Sequence, residues 1–84
     1  MSDLRSEVRA VLRDHARLPN GIDALDDNDD LFQAGMSSHA SVNVMLALED
    51  AFDIEFPDSM LKRTMFESVT QIALAVAGLQ EQAA

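Results

Sequence analysis

Apolar residues recur at helical spacing in several stretches of the chain, which are separated by segments rich in Pro, Gly and Asp. In the first stretch they recur at i, i+4, i+7, i+8 and i+11, which is one face of an α-helix. This face consists of Leu4, Val8, Val11, Leu12 and His15. Ser2 or Asp3 is the expected N-cap, and the turn residues 19–21 (Pro-Asn-Gly) are the expected end. A histidine on such a face is expected to be packed or half-buried.

A second helix is predicted from Ser38 to about Phe52, and its apolar residues cover more than one face. Val44, Met45, Leu48 and Phe52 form one side, which a core stripe explains. Val42 and Leu46 lie on another flank among polar residues, as a docking strip or as part of a wide core. The segment 53–57 should end the helix, because the residue before Pro57 disfavours helical backbone angles.

The last third of the chain predicts a short helix and a longer one. Asp58 can cap a short third helix from Ser59 to Met65. The sequence 68–71 (Ser-Val-Thr-Gln) matches a capping box at the start of the last helix. Its apolar face consists of Val69, Ile72, Ala73, Val76 and Leu79. Residues 80–84 are expected to fray. With no visible strand pair, we predict an all-α bundle of three main helices plus one short helix, joined by a long first loop.

The long loop, residues 18–36, contains apolar residues that should pin it across the core. These residues are Ile22, Leu25, Leu31 and Phe32. Its centre, residues 26–30, begins like a calcium-binding EF-hand loop with acidic residues at alternate positions. The required Gly is replaced by Leu31, and the position of the bidentate acid holds Ser37, so the EF-hand interpretation fails. No metal site is predicted, and a solvated acidic loop is the simpler interpretation.

Composition narrows the functional classes. The 84 residues fit a single domain, 1–84. The net charge of −9 disfavours nucleic-acid and membrane binding and favours partners with basic patches. There is no cysteine, no signal peptide and no apolar run of membrane-spanning length. These features are typical of a cytoplasmic protein, and we expect a monomer.

Two further patterns invite a catalytic or binding interpretation that the sequence does not support. His39 follows Ser38 directly, but neighbouring residues at a helix start point in different directions and the Gly-x-Ser-x-Gly motif is absent. No catalytic residue, and therefore no enzyme, is predicted. Four arginines form a stripe on the first helix, but acidic residues leave that segment close to neutral. Local ion pairs or an internal balance for the acidic remainder explain the stripe better than a phosphate-binding face. The stripe consists of Arg5, Arg9, Arg13 and Arg17.

The segment 30–57 resembles the acyl carrier protein family. Like the family, it has an Asp-Leu-Phe motif at 30–32, Gly35 three residues before Ser38, and Phe52 fourteen residues after it. An apolar-Ala-Leu-Glu run and an Ile-x-apolar-Pro exit at 54–57 follow the same pattern. Two positions depart from it: Ser37 stands where the family usually has Asp, and His39 where it usually has Leu. These departures argue against the ordinary fatty-acid carrier.

The resemblance implies that Ser38 is modified with phosphopantetheine taken from coenzyme A, and that the arm holds an acyl or aminoacyl group as a thioester. The thiol belongs to the arm, so a chain without Cys can carry such a cargo. The implied partners are a phosphopantetheinyl transferase, a loading ligase and downstream acyl-transfer enzymes. The run 45–58 is similar to stand-alone carriers loaded by amino acid:carrier protein ligases, which look like truncated aminoacyl-tRNA synthetases. A small amino acid is the cargo that this similarity implies.

A carrier of this kind needs an exposed hydroxyl and a surface that its enzymes recognise. A serine at a helix N-terminus suits the first need, because the free N–H groups and the positive end of the helix dipole tolerate a phosphate. For the second, we predict a docking strip on the flank of the second helix, formed by His39, Val42, Asn43, Leu46, Glu49 and Asp50. The alternative is a non-covalent acidic interaction module in which Ser38 is only a helix cap.

Overall fold

The computed structural model describes residues 3–83 and contains three α-helices. They are α1 (Leu4–His15), α2 (Ser38–Phe52) and α3 (Val69–Ala83). Short 3-10 helices cover Ile22–Ala24, Asp58–Met60 and Arg63–Phe66. The described residues include no strand, and the all-α prediction is confirmed. No helix among them is long and apolar enough to span a membrane.

The helices begin at the caps that the sequence indicates. The Asp3 carboxylate accepts a hydrogen bond of 3.1 Å from the Arg5 N–H at the start of α1, while Ser2 lies outside the described residues. The Ser68 hydroxyl accepts one of 3.2 Å from the Gln71 N–H at the start of α3. Each cap satisfies one of the N–H groups that a first helical turn leaves without an intrahelical partner.

A single core lies between the three helices and the long loop. α1 contacts both α2 and α3. The largest side chains with less than 2% of their surface exposed are Val8, Leu12, Ile22, Leu31, Val44, Leu48, Val69, Ile72 and Val76. The predicted faces of the first and last helices therefore reach the core. On α2, Val44 and Leu48 are fully buried, whereas Met45 and Phe52 only pack against its edge.

The predicted end of the first helix was wrong by a few residues. α1 ends at His15, and Arg17 then adopts a left-handed backbone angle (φ 54°) two residues before Pro19. Because Ala16 rather than His15 takes the buried position, His15 is exposed and the expectation of a packed histidine was wrong.

The predicted short helix from Ser59 to Met65 was also wrong. Two separate 3-10 helices replace it, and Lys62 between them is extended (φ −120°, ψ 153°). This break leaves Leu61 exposed and lets Phe66 reach the core, where its ring meets the Phe56 ring edge-on at 5.7 Å. The apolar residues of this segment are unevenly spaced, so they would not share one face of a continuous helix.

The fraying of residues 80–84 stays a prediction, although these residues are helical as far as the structure describes them. α3 continues to Ala83. Leu79 is 92% buried and anchors the last turns against the core. Because no Pro follows it to stop the helix, the polar residues after it extend the same helix into solvent.

The loop between α1 and α2 is ordered by burial and by hydrogen bonds, as its apolar residues predict. Ile22 and Leu31 are fully buried, and Leu25 and Phe32 pack against the core. The Leu31 N–H donates to the Glu67 carbonyl at 2.7 Å. The Thr70 N–H donates to the Asp27 carbonyl at 3.0 Å. The loop is therefore attached to the start of α3.

Arg9 attaches the same loop to α1. Its Nε donates to Asp27 Oδ1 at 2.9 Å, Nη1 to the Ile22 carbonyl at 3.1 Å and Nη2 to the Leu25 carbonyl at 2.7 Å. Arg13 pairs with Asp23 at 2.7 Å on the surface. Arg5 Nε also lies 3.9 Å from Asp27 Oδ2. Three members of the arginine stripe thus balance acidic residues of the loop, in line with the internal-balance interpretation.

The acidic centre of the loop uses its carboxylates to order its own backbone. Asp29 Oδ2 accepts from the Asp26 N–H at 2.8 Å. Asp30 Oδ1 accepts from the N–H groups of Phe32 and Gln33 at 2.9 and 3.1 Å. Within the described residues, no group of three or more acidic or histidine side chains is arranged to hold a metal ion. These acids therefore fold the chain that leads into α2.

Candidate functional site

The approach to α2 is a tight turn that requires glycine. Gly35 has φ 118°, a backbone conformation that L-residues rarely adopt, and a Cβ there would lie 2.7 Å from Cδ of Pro19. The Met36 that follows is buried, and its N–H donates to the Leu31 carbonyl at 3.0 Å. The chain is thus fixed immediately before the two serines.

The two serines at the start of α2 have different environments. Ser37 is the N-cap: its backbone is extended (φ −78°, ψ 163°), and its hydroxyl accepts a hydrogen bond of 3.0 Å from the Ala40 N–H. Ser38 is the first helical residue, is exposed, and has no hydrogen bond from its hydroxyl to any described residue. Capping therefore uses Ser37 and leaves the hydroxyl of Ser38 available.

A Ser–His pair is not formed. His39 is exposed and makes no hydrogen bond to Ser38, although both lie within the described residues. No base among the described residues contacts the Ser38 hydroxyl to activate it as a nucleophile. The geometry leaves the Ser38 hydroxyl exposed and without a hydrogen bond to a described residue.

The predicted docking strip forms one exposed face of α2. Val42 and Leu46 have 49% and 53% of their surface exposed, so they do not belong to a wide core. The remaining members are exposed or half-exposed: His39, Asn43, Glu49 and Asp50. Spacings of three and four residues put the members side by side, beginning one residue after Ser38.

One member of the strip also has a structural role. Oε2 of Glu49 accepts a hydrogen bond of 2.8 Å from the Phe56 N–H. This bond secures the chain just after Asp53, which ends α2 with a left-handed backbone (φ 52°). Asp50, which is exposed, has no such bond to a described residue. Asp50 is therefore the better residue for testing charge on this face.

A groove that no sequence pattern predicts is lined in part by Ser38. It has a volume of about 400 Å³ and lies between α2 and the segment that follows it. Its walls are Phe32, Ser41, Val42, Met45, Leu61, Lys62, Arg63 and Phe66, with Ser38 at its margin. The one available signal was that Lys62 and Arg63 are the only basic residues after position 17.

Comparison with known proteins places this geometry in a family. The sequence profile of the phosphopantetheine attachment site matches residues 4–77. The aminoacyl carrier protein of Agrobacterium fabrum is 45% identical over 69 residues, which cover 82% of this chain and 83% of that protein. The identity extends well beyond the short motif around Ser38.

Solved structures agree with the sequence matches. One is the crystal structure of an engineered Bradyrhizobium japonicum glycine:[carrier protein] ligase in complex with a carrier protein from Agrobacterium tumefaciens and AMP. Its matching chain has a TM-score of 0.84 and 44% identity, over 87% of this chain and 97% of that one. A solution structure of an Agrobacterium tumefaciens protein has a TM-score of 0.74 and 41% identity, over 95% and 99%.

These matches favour covalent carriage over the non-covalent interaction module that the sequence left open. The family profile is defined by an attachment site, and the described helices and loop superpose on a carrier over most of both chains. The chain belongs to the phosphopantetheine-binding carrier proteins, which hold acyl or aminoacyl groups on a covalently attached phosphopantetheine arm.

Proposed function

We propose that Ser38 Oγ is the attachment point of the arm and that the chain carries an amino acid. The observation that carries the first part is the division of work between the two serines. Because Ser37 caps α2, the Ser38 hydroxyl is exposed and free of hydrogen bonds to the described residues.

The residues at the start of α2 fit a phosphodiester. Ser38 stands at the helix N-terminus, where unpaired N–H groups and the helix dipole favour negative charge. In the attachment reaction, Ser38 Oγ forms a bond to the phosphorus that carries pantetheine in coenzyme A. The phosphoanhydride bond breaks, the adenosine bisphosphate part leaves, and the hydroxyl proton passes to the transferase or solvent. The arm supplies the thiol that the chain lacks.

Intact-mass measurement tests the attachment point. The apo-protein is incubated with coenzyme A and a broad-specificity phosphopantetheinyl transferase. We expect the mass to increase by one phosphopantetheine group in the wild type and in Ser37→Ala, and to stay unchanged in Ser38→Ala. A mass increase that survives in Ser38→Ala and disappears in Ser37→Ala would move the site to Ser37.

The cargo proposal rests on the relatives. One is an aminoacyl carrier protein, and another structure pairs a carrier protein with a glycine:[carrier protein] ligase. We propose that a ligase of this kind loads a small amino acid on the arm and docks on the strip along α2. The exposed apolar side chains of Val42 and Leu46 would supply contact area, and the exposed charge of Asp50 would steer a basic surface.

A loading assay separates the cargo from the docking surface. The modified protein is incubated with a glycine:[carrier protein] ligase, ATP and single amino acids, and thioester formation is followed by mass. We expect the wild type to be loaded with glycine or another small amino acid. Asp50→Lys should be loaded at least about tenfold more slowly than the wild type. Glu55→Lys makes the same charge change on an exposed residue outside the strip and should load normally. Equal rates for both variants would remove Asp50 from the docking surface.

A further inference from the structure

Two basic residues are separated from all the others and lie beside Ser38. Residues 1–17 hold four of the six Lys and Arg residues but only three of the 15 Asp and Glu residues. Residues 18–84 hold the other 12 acidic residues, and Lys62 and Arg63 are their only Lys or Arg residues. Both line the groove that Ser38 borders. On a chain with a net charge of −9, this pair gives the groove a local positive charge that attracts a negatively charged ligand.

Arg63 is held at the wall of the groove. Its Cζ lies 4.2 Å from the centroid of the Phe32 ring, in cation–π geometry. Phe32 is itself fixed, because it packs against the core and its N–H donates to Asp30 at 2.9 Å. The guanidinium therefore has a defined position on the same groove as the Ser38 hydroxyl.

Neither cation is neutralised within the described residues. Arg9 and Arg13 are paired with Asp27 and Asp23, whereas no acidic side chain of the described chain pairs with Lys62 or Arg63. Both side chains are exposed. Their hydrogen-bond donors remain available, in contrast to the donors of Arg9, which are used to hold the loop.

We propose that Lys62 and Arg63 bind the phosphodiester of the arm attached to Ser38. This inference rests on the attachment point proposed above. A phosphodiester carries one negative charge on two unesterified oxygens, which suit the planar fork of Arg63 and the point charge of Lys62. By holding the phosphate, the pair restricts the base of the arm to the groove side of α2. The thiol end stays free to reach partner enzymes.

The test uses fully modified protein, so that it does not depend on how fast the arm is attached. Wild type, the double variant Lys62→Gln/Arg63→Gln and the control Arg13→Gln are converted with coenzyme A and transferase, and completion is verified by mass. The control removes a charge from a residue that faces Asp23 and does not line the groove. The phosphorus NMR signal of the arm and the side-chain Nε–H signal of Arg63 are then recorded at low salt and at about 1 M salt.

We expect the Arg63 Nε–H signal to move on modification at low salt and to move back in about 1 M salt, where screening acts over about 3 Å. The phosphorus signal should differ from wild type in the double variant only. In the double variant the added phosphate has no cation pair to bind. The change in Tm on modification should therefore be about 2–5 °C less favourable in the double variant than in the wild type.

Identical phosphorus spectra in all three modified proteins would overturn the inference, with Ser38 still the attachment point. Slower modification of the double variant with an unchanged phosphorus signal would likewise overturn it, and would assign the pair to binding the transferase. Absence of any mass increase in wild type would instead reject the attachment proposal, which the NMR comparison does not address.

Discussion

The segments on the two sides of α2 are both irregular, but they are held in different ways. The loop before α2 is held from three directions: Leu31 is fully buried, Arg9 donates to Asp27 and to two carbonyls, and Thr70 of α3 donates to Asp27. The segment after α2, residues 53–68, contacts the core through Phe56 and Phe66, and its 3-10 turns are closed by local hydrogen bonds. Examples are the Met60 N–H to the Pro57 carbonyl at 2.9 Å and Met65 to Lys62 at 3.0 Å.

This difference matches two demands on a carrier. For the proposed attachment at Ser38, the start of α2 needs one defined geometry, which the loop before it provides. On the other side, where we propose that the phosphate of the arm binds, the chain exposes Leu61 together with two cations. Leu31 is fully buried in the loop that positions Ser38, whereas residues 61–64 of the segment beside the groove are exposed.

The largest predicted contrast is between two leucines, one on each side. Leu31→Ala removes a side chain with no exposed surface and should lower the free energy of unfolding by about 2–5 kcal/mol. Leu61→Ala removes one that is 41% exposed and should change it by about 0.5 kcal/mol or less. Urea unfolding followed by circular dichroism measures both. Equal losses would show that the segment after α2 is as tightly packed as the loop before it.

The pinned side is also the side that the sequence predicts well. Ile22 and Leu31 are too apolar for a free linker, so an ordered loop follows from burial alone. In the segment after α2, the sequence predicts a short helix from Ser59 to Met65 because Asp58 can cap it. Its break at Lys62 depends on the tertiary position of Phe66, which no local pattern encodes. The predicted end of α1 was wrong for a related reason, because the end depends on the burial of Ala16 in the core.

At the site, the resemblance predicts Ser38 as the attachment point, and helical periodicity predicts the exposed flank of α2, whose role in docking stays a prediction. The groove could not be predicted, because it joins Phe32, Met45 and Arg63 from three separate parts of the chain. The hydrogen bond that Glu49 accepts from the Phe56 N–H could not be predicted for the same reason. Because tertiary contacts build the groove, the sequence gives only one sign of it: two basic residues in a stretch whose other charged residues are acidic.

The second comparison removes the hydrogen bonds that one side chain of α1 donates to the loop, and leaves the core side chains unchanged. Arg9→Gln loses the hydrogen bonds to Asp27 and to two loop carbonyls, in a partly buried place, and should cost about 1–3 kcal/mol. Arg13→Gln makes the same charge change but loses one exposed pair, for less than about 1 kcal/mol. Thermal unfolding distinguishes them. Comparable losses would mean that overall charge, rather than the attachment by Arg9, sets the stability of the loop.

The smallest contrast lies where the two sides meet, at the two serines. Ser37→Ala removes the hydroxyl that accepts from the Ala40 N–H and should cost about 0.5–2 kcal/mol, while modification by the transferase continues. Ser38→Ala removes a hydroxyl that has no hydrogen bond to the described residues, so it should change stability by about 0.5 kcal/mol or less and abolish modification. Unfolding curves and intact mass on the same two variants give four measurements. A stability loss in Ser38→Ala that matched or exceeded the loss in Ser37→Ala would show that capping and attachment are not divided between the two residues.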